Sequence, residues 1–216
     1  MTITTYKWSV EEYHLLIDSG LLAGKSVELL NGEIVEMSPE REEHSYTNDD
    51  VAELLREKLR GLAKIRESHP ITLDNSEPEP DIAVVRLPKT IYARRHPYPQ
   101  DIYWLIEISN RTLSKAEQCG LGGFPAARSA DRRLTTTGGH SPAQQLFQED
   151  LNEKSQTYAR NGIPEYWVID LINKKLIVHT NPEGNSYRQI SEYTKGNVSS
   201  LAFPNLNLAL EQLLLF

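Results

Sequence analysis

The segment YWLIEIS, residues 103–109, constrains this chain more than any other. A nearly continuous apolar run of that length is what a strand buried on both faces requires, so the chain must build a sheet covered on both sides. Two more segments fit the same sheet: the short apolar run IAVV at 82–85, and EYWVIDL followed by KKLIVHT across a turn at Asn173. The cover must come from helices, and three are legible. Ser9 to Ser19 opens with a Ser9/Glu12 capping-box pair and closes at Gly20. Thr47 to Leu59 carries Val51, Leu54, Leu55 and Leu59 at helical spacing. Residues 150–161 end at Gly162, with Pro164 just beyond. Strands interleaved with helices give an α/β protein.

Local signals add detail. SVELL, Asn31-Gly32 and EIVEM write a hairpin, because both central turn positions need positive φ. A two-residue loop sets Glu28 opposite Val35, on one face with Leu30 and Met37. Residues 65–73 are expected to form a strand, with Pro70 placing it at an edge or a bulge. SYRQI is expected as a further strand after the turn NPEGN. NLNLALEQLLLF is expected to be a short apolar helix packed on the body.

Residues 116–149 break this pattern. Ala, Gly, Pro, Ser, Thr and Gln supply 21 of the 34 residues, and Lys, Ile, Val, Tyr and Trp are absent. A connection that long without periodicity is unusual in a compact domain. The reading is one domain over 1–216 with a low-order insertion at 116–149; an ordered loop with a short helix around 142–149 is the alternative. Composition removes several functions. Cys119 is the only cysteine, so no disulfide framework exists. No apolar run reaches membrane-spanning length, and a cytoplasmic location is expected. With 30 acidic against 23 basic residues and a net charge of −7, the chain does not suit coating nucleic acid, although a metal can supply positive charge locally.

Three carboxylates stand out. Asp81 closes PEPD at the entrance to IAVV. Glu107 interrupts the buried strand, where an unpaired carboxylate costs several kcal/mol, on the order of a buried polar group without a partner. Glu28 faces the apolar side of the hairpin. Leu151, Lys154 and Tyr158 share one helical stripe, which turns Lys154 toward the sheet. Two carboxylates and a lysine converging on a sheet can hold one Mg²⁺ or Mn²⁺ and act on a phosphodiester. The bland alternatives are a turn acid at Asp81, an exposed edge-strand residue at Glu107 and a snorkelling Lys154. Tyr103, Trp104, Tyr166 and Trp167 are better explained as sheet core than as a base-stacking platform.

VELLNGEIVEMSP, EPDIAVV, YWLIEIS and EKSQTYARNGIPEYWVID together resemble the Uma-type putative restriction endonuclease family, abundant in cyanobacteria and within the PD-(D/E)xK nuclease-like superfamily. The resemblance runs from the first helix to the final FPNLNLALEQLLLF and breaks only at 116–149. It implies an α/β restriction-endonuclease-like core, a mixed central sheet flanked by helices, and a divalent-metal-dependent endonuclease acting on DNA, with Mg²⁺ as cofactor and Mn²⁺ as a substitute. The family's Pro-Asp corresponds to Pro80-Asp81 and its second metal carboxylate to Glu107. The superfamily's lysine position holds Ser109 here, and the resemblance supplies the lysine from the following helix as Lys154. Glu28 matches the acid of the first hairpin. His44 matches a histidine near the next helix start, able to contact phosphate or carry a proton, or else a solvated helix-start residue. A homodimer cutting two strands is a further implication. The alternatives are an inactive nuclease-fold binding module and a hydrolase of another phosphodiester such as RNA.

Overall fold

The computed structural model describes residues 4–110 and 142–214. In chain order it contains α1 (Val10–Asp18), a hairpin of β1 (Val27–Leu30) and β2 (Glu33–Glu36), α2 (Glu42–Lys58), β3 (Lys64–Glu67) and β4 (Ile82–Val85). Two short 3₁₀ turns lead into β5 (Ile102–Ser109); α3 (Pro142–Arg160) and the strands β6 (Glu165–Asp170), β7 (Lys175–Glu183) and β8 (Ser186–Tyr193) follow. A last hairpin, β9 (Asn197–Ser200) and β10 (Phe203–Ala209), ends in a single turn, α4 (Leu210–Leu213). Cys119 and residues 116–141 of the segment expected as an insertion lie outside the described residues.

The apolar strand is β5, third in a six-stranded sheet of order β3-β4-β5-β6-β7-β8. Only the β5–β6 pair is parallel among the neighbours of this sheet, and α3 lies in the connection between them. A parallel pair needs such a crossover, because a tight turn cannot reverse the chain twice. Alternation then sorts the side chains. On one face Ile82, Val84, Trp104, Ile106 and Trp167 pack against Val51, Ala52 and Leu55 of α2 and against the last hairpin. On the other, Ala83, Leu105, Tyr166 and Val168 pack against Leu151, Tyr158 and Ala159 of α3. Trp104, Tyr166 and Trp167 are buried in these two layers, as core reading required, and Tyr103 stacks under the Arg86 guanidinium.

The first helix carries the expected capping box: Ser9 Oγ accepts from the Glu12 amide, and Glu12 accepts from the Ser9 amide. The first hairpin has the expected register, Glu28 opposite Val35, with positive φ at Asn31 and Gly32.

Four elements differ from expectation. Helix α2 begins at Glu42 rather than Thr47, so His44 lies in its first turn. Helix α3 begins at Pro142, inside the segment expected as an insertion. Strand β3 stops at Glu67, because Ser68 turns to positive φ, and it is an edge strand. The C-terminal segment is strand as far as Ala209 and only then a single helical turn, Leu210–Leu213. Leu206 and Leu208 alternate with exposed or half-buried neighbours, a period of two that outweighs the helix-forming composition over this stretch.

Candidate active site

Asp81 stands immediately before β4, where the β4–β5 ladder ends with Ile82 opposite Ile106. One further step along that antiparallel pair brings Asp81 to the level of Glu107. The contact is direct at the backbone: the Ile108 amide donates to Asp81 Oδ2 at 2.6 Å. The Ser68 amide donates to the Asp81 carbonyl at 3.0 Å, so both ends of this residue are fixed. Glu107 itself lies on the α3 face of β5, in line with Leu105, and is buried. The bland readings of Glu107 as an edge residue and of Lys154 as a snorkelling one do not describe this arrangement.

Lys154 reaches in from α3 and is 6% exposed. Its Nζ lies 3.3 Å from Glu28 Oε1 and 3.6 Å from Glu107 Oε1. One turn further along the helix, the Tyr158 hydroxyl donates to Glu107 Oε1 at 2.8 Å. The stripe Leu151, Lys154, Tyr158 thus delivers an apolar anchor, a cation and a hydroxyl to the sheet face together. Glu28 comes from β1, and the Glu79 amide donates to its Oε2 at 2.9 Å. Both Glu28 oxygens are therefore engaged, which makes Glu28 an anchor for Lys154. His44, from the start of α2, places Nε2 3.1 Å from Asp81 Oδ2. All five residues singled out in the sequence meet in one connected cluster. Tyr158 and Glu79 are the participants that sequence reasoning passed over: the tyrosine read as stripe, and Glu79 acts through its backbone.

Burial dominates the electrostatics. It pushes the Glu107 carboxyl up to about 8; Lys154 opposes this, while the charges of Asp81 and Glu28 add to it. Burial raises Glu79 in the same way, reinforced by Glu28. Burial pulls the His44 imidazole down, but the bond to Asp81 and its charge outweigh that and the net direction is up.

Several carboxylates facing one lysine leave a buried negative surplus, which a divalent cation fits. Asp81 and Glu107 could hold it: His44 and the Ile108 amide meet Oδ2 of Asp81, and Tyr158 and Lys154 meet Oε1 of Glu107. A second donor set lies alongside. Glu40, His44 and Asp81 each offer an atom within 4.8 Å of the others.

A mixed sheet with acids at the adjoining ends of two central strands, and a lysine from the crossover helix, defines a nuclease-like α/β protein. Residues 10–119 and 145–211 match the family model Uma2, described as "Putative restriction endonuclease", and the chain belongs to that family. A solved structure from Anabaena variabilis, titled a putative nuclease belonging to DUF820, shares the fold with a TM-score of 0.61. It is 15% identical, and the match covers 92% of this chain and 96% of that one. The comparison with curated proteins gives no match. The interval that the family model leaves out, 120–144, falls inside the segment 116–149. Among the described residues no helix is long and apolar enough to cross a membrane.

Proposed function

We propose that the protein is a divalent-metal-dependent endonuclease that hydrolyses DNA phosphodiester bonds, using Mg²⁺ with Mn²⁺ as a substitute. The observation that carries this reading is the convergence of Asp81, Glu107 and Lys154, from a strand entrance, a central strand and a crossover helix, on one acidic cluster in which Glu107 and Lys154 are buried. Asp81 and Glu107 would hold the cation. When bound, a divalent cation polarises a phosphodiester and lowers the pKa of a bound water. Lys154 holds its ammonium beside Glu107, where it can orient the attacking water or stabilise negative charge developing on a phosphoryl oxygen. Glu28 fixes the direction of that ammonium, and Tyr158 fixes the Glu107 carboxylate. His44, at the more open side of Asp81, is placed to contact a phosphate or pass a proton.

Lys154 lies 3.6 Å from Glu107 rather than out in solvent, which supports the catalytic reading over that of an inactive binding module. A cytoplasmic setting goes with the single cysteine, and two paired copies would supply one site per DNA strand. The test is cleavage of supercoiled and linear duplex DNA in Mg²⁺ and Mn²⁺, with an RNA arm in parallel. The wild type should cut DNA, and Asp81→Asn should lower the rate by about 100-fold or more, as expected when an essential electrostatic group is lost. Undiminished cleavage by Asp81→Asn would overturn the assignment, and cleavage of RNA alone would replace the substrate.

A further inference from the structure

The imidazole of His44 is bonded at one nitrogen only. Nε2 meets Asp81 Oδ2 at 3.1 Å, and an ionised carboxylate only accepts, so the ring proton belongs on Nε2. Nδ1 is buried and has no hydrogen-bond partner among the described residues. Glu40 Oε2 lies 3.9 Å from Nδ1, too far for a hydrogen bond. A buried nitrogen without a partner calls for an occupant, and an ion is one of the few that fit. An imidazole that donates one ring N–H to a carboxylate and turns its other nitrogen outward is also the arrangement in which histidines bind metals, with the carboxylate fixing tautomer and ring direction.

From these contacts we infer a second cation position at the start of α2, with His44 Nδ1 and a Glu40 carboxylate oxygen as its protein ligands and Asp81 orienting the ring through Nε2. This position goes beyond the Asp81–Glu107 pair and shares only Asp81 with it. Access suits an exchangeable ion: the Glu40 side chain is 48% exposed, whereas His44 and Asp81 are each 13% exposed. The positive end of a helix opposes a cation, but Glu42 and Glu43 in the first turn offset it. Imidazole is a ligand of first-row transition metals, while Mg²⁺ prefers oxygen and keeps its waters. The position therefore takes a cation of the Mn²⁺ or Zn²⁺ class ahead of Mg²⁺.

The experiment is titration of Mn²⁺ into the full-length protein, read by calorimetry and by pulsed electron paramagnetic resonance for imidazole nitrogen coupling. Wild type is compared with Glu40→Gln, His44→Gln, the neighbouring-charge control Glu43→Gln, and Glu107→Gln. The wild type should show nitrogen coupling that His44→Gln abolishes. Glu40→Gln should weaken this binding about tenfold, the scale of losing a ligand or its close support, while Glu43→Gln stays within about twofold. A tenfold excess of Mg²⁺ should leave the nitrogen coupling in place. No nitrogen coupling in the wild type, unchanged binding by Glu40→Gln, or an equal loss in Glu43→Gln would each overturn the inference. The two readings separate cleanly. Binding lost only in Glu107→Gln removes the His44 position and keeps the Asp81–Glu107 pair. Binding lost only in Glu40→Gln and His44→Gln keeps the new position and removes Glu107 as a ligand.

Discussion

The Lys154 ammonium stands between carboxylate oxygens of Glu28 and Glu107, and all three side chains are nearly removed from water. Pairing offsets the desolvation of each, so removal of the shared cation leaves the Glu28 carboxylate buried without it and pushes the Glu107 carboxyl, already up to about 8, further toward its neutral form. Lys154→Met keeps most of the side-chain volume and deletes only the charge. It should cost about 3 kcal/mol at pH 7 in urea unfolding, in the range for breaking a buried pair. A loss within experimental error would mean that the ammonium contributes nothing to the carboxylates' burial. His179 shows the opposite logic, a titratable group kept neutral. It stacks on Tyr166 with Nδ1 3.3 Å from the Tyr166 carbonyl oxygen, and burial lowers its pKa from 6.5 to about 4. The unfolded chain takes up that proton near 6.5 and the folded chain only near 4. Stability from this group is therefore complete above 6.5 and falls away as pH drops toward 4, by about 3 kcal/mol. His179→Phe should remove this component, so its stability relative to wild type should rise by about that amount between pH 7 and pH 4. Parallel stability curves would refute the assignment.

Among the elements, the first hairpin matters most, because it carries Glu28. Gly32 has φ +74, and a Cβ there would meet Lys7 Cβ at 2.9 Å and the Trp8 carbonyl oxygen at 3.1 Å. The same turn is tied down by the Trp8 amide donating to the Gly32 carbonyl and the Gly32 amide donating to Asn75. Gly32→Ala should thus cost about 1–3 kcal/mol, the range for a residue forced into a strained backbone region, measured by denaturant unfolding. If it costs less, the turn tolerates a shift and does not dictate where Glu28 stands. The hairpin was readable from Asn-Gly alone, since no other turn chemistry serves a two-residue loop so well. The C-terminal segment was not. Its leucines satisfy a helix by composition and a strand by alternation, and pairing of β10 with β9 decides between them.

For the molecule as a whole, a net charge of −7 predicts weak contact with DNA unless cations are present. Phosphate neutralisation supplies most non-specific affinity, and acidic residues exceed basic ones in this chain. Duplex DNA should bind more weakly than about 100 µM in EDTA at physiological salt, the weak limit of non-specific binding. Addition of Ca²⁺, a hard cation that takes oxygen ligands, should tighten binding measurably by fluorescence anisotropy, because it adds positive charge at the acidic cluster. Tight binding in EDTA would show that the protein, and not the ion, supplies the positive surface.

Most element types and the buried strand β5 follow from the sequence, because periodicity and turn chemistry are local signals; an acid at a strand entrance, an acid inside an apolar run and a helical stripe single out Asp81, Glu107 and Lys154, and the roles proposed for them come with the family resemblance. The early start of α2, which brings His44 to Asp81, is not local, and neither is the bond from Tyr158 to Glu107. Both depend on how far a helix extends and which sheet residue it meets, a matter of packing across the interface. Sequence marked Glu28 as an acid on an apolar face; only the fold decided that Lys154 and the Glu79 amide use up both its oxygens. That difference separates a metal ligand from an anchor, and it lies in distances between residues far apart in the chain.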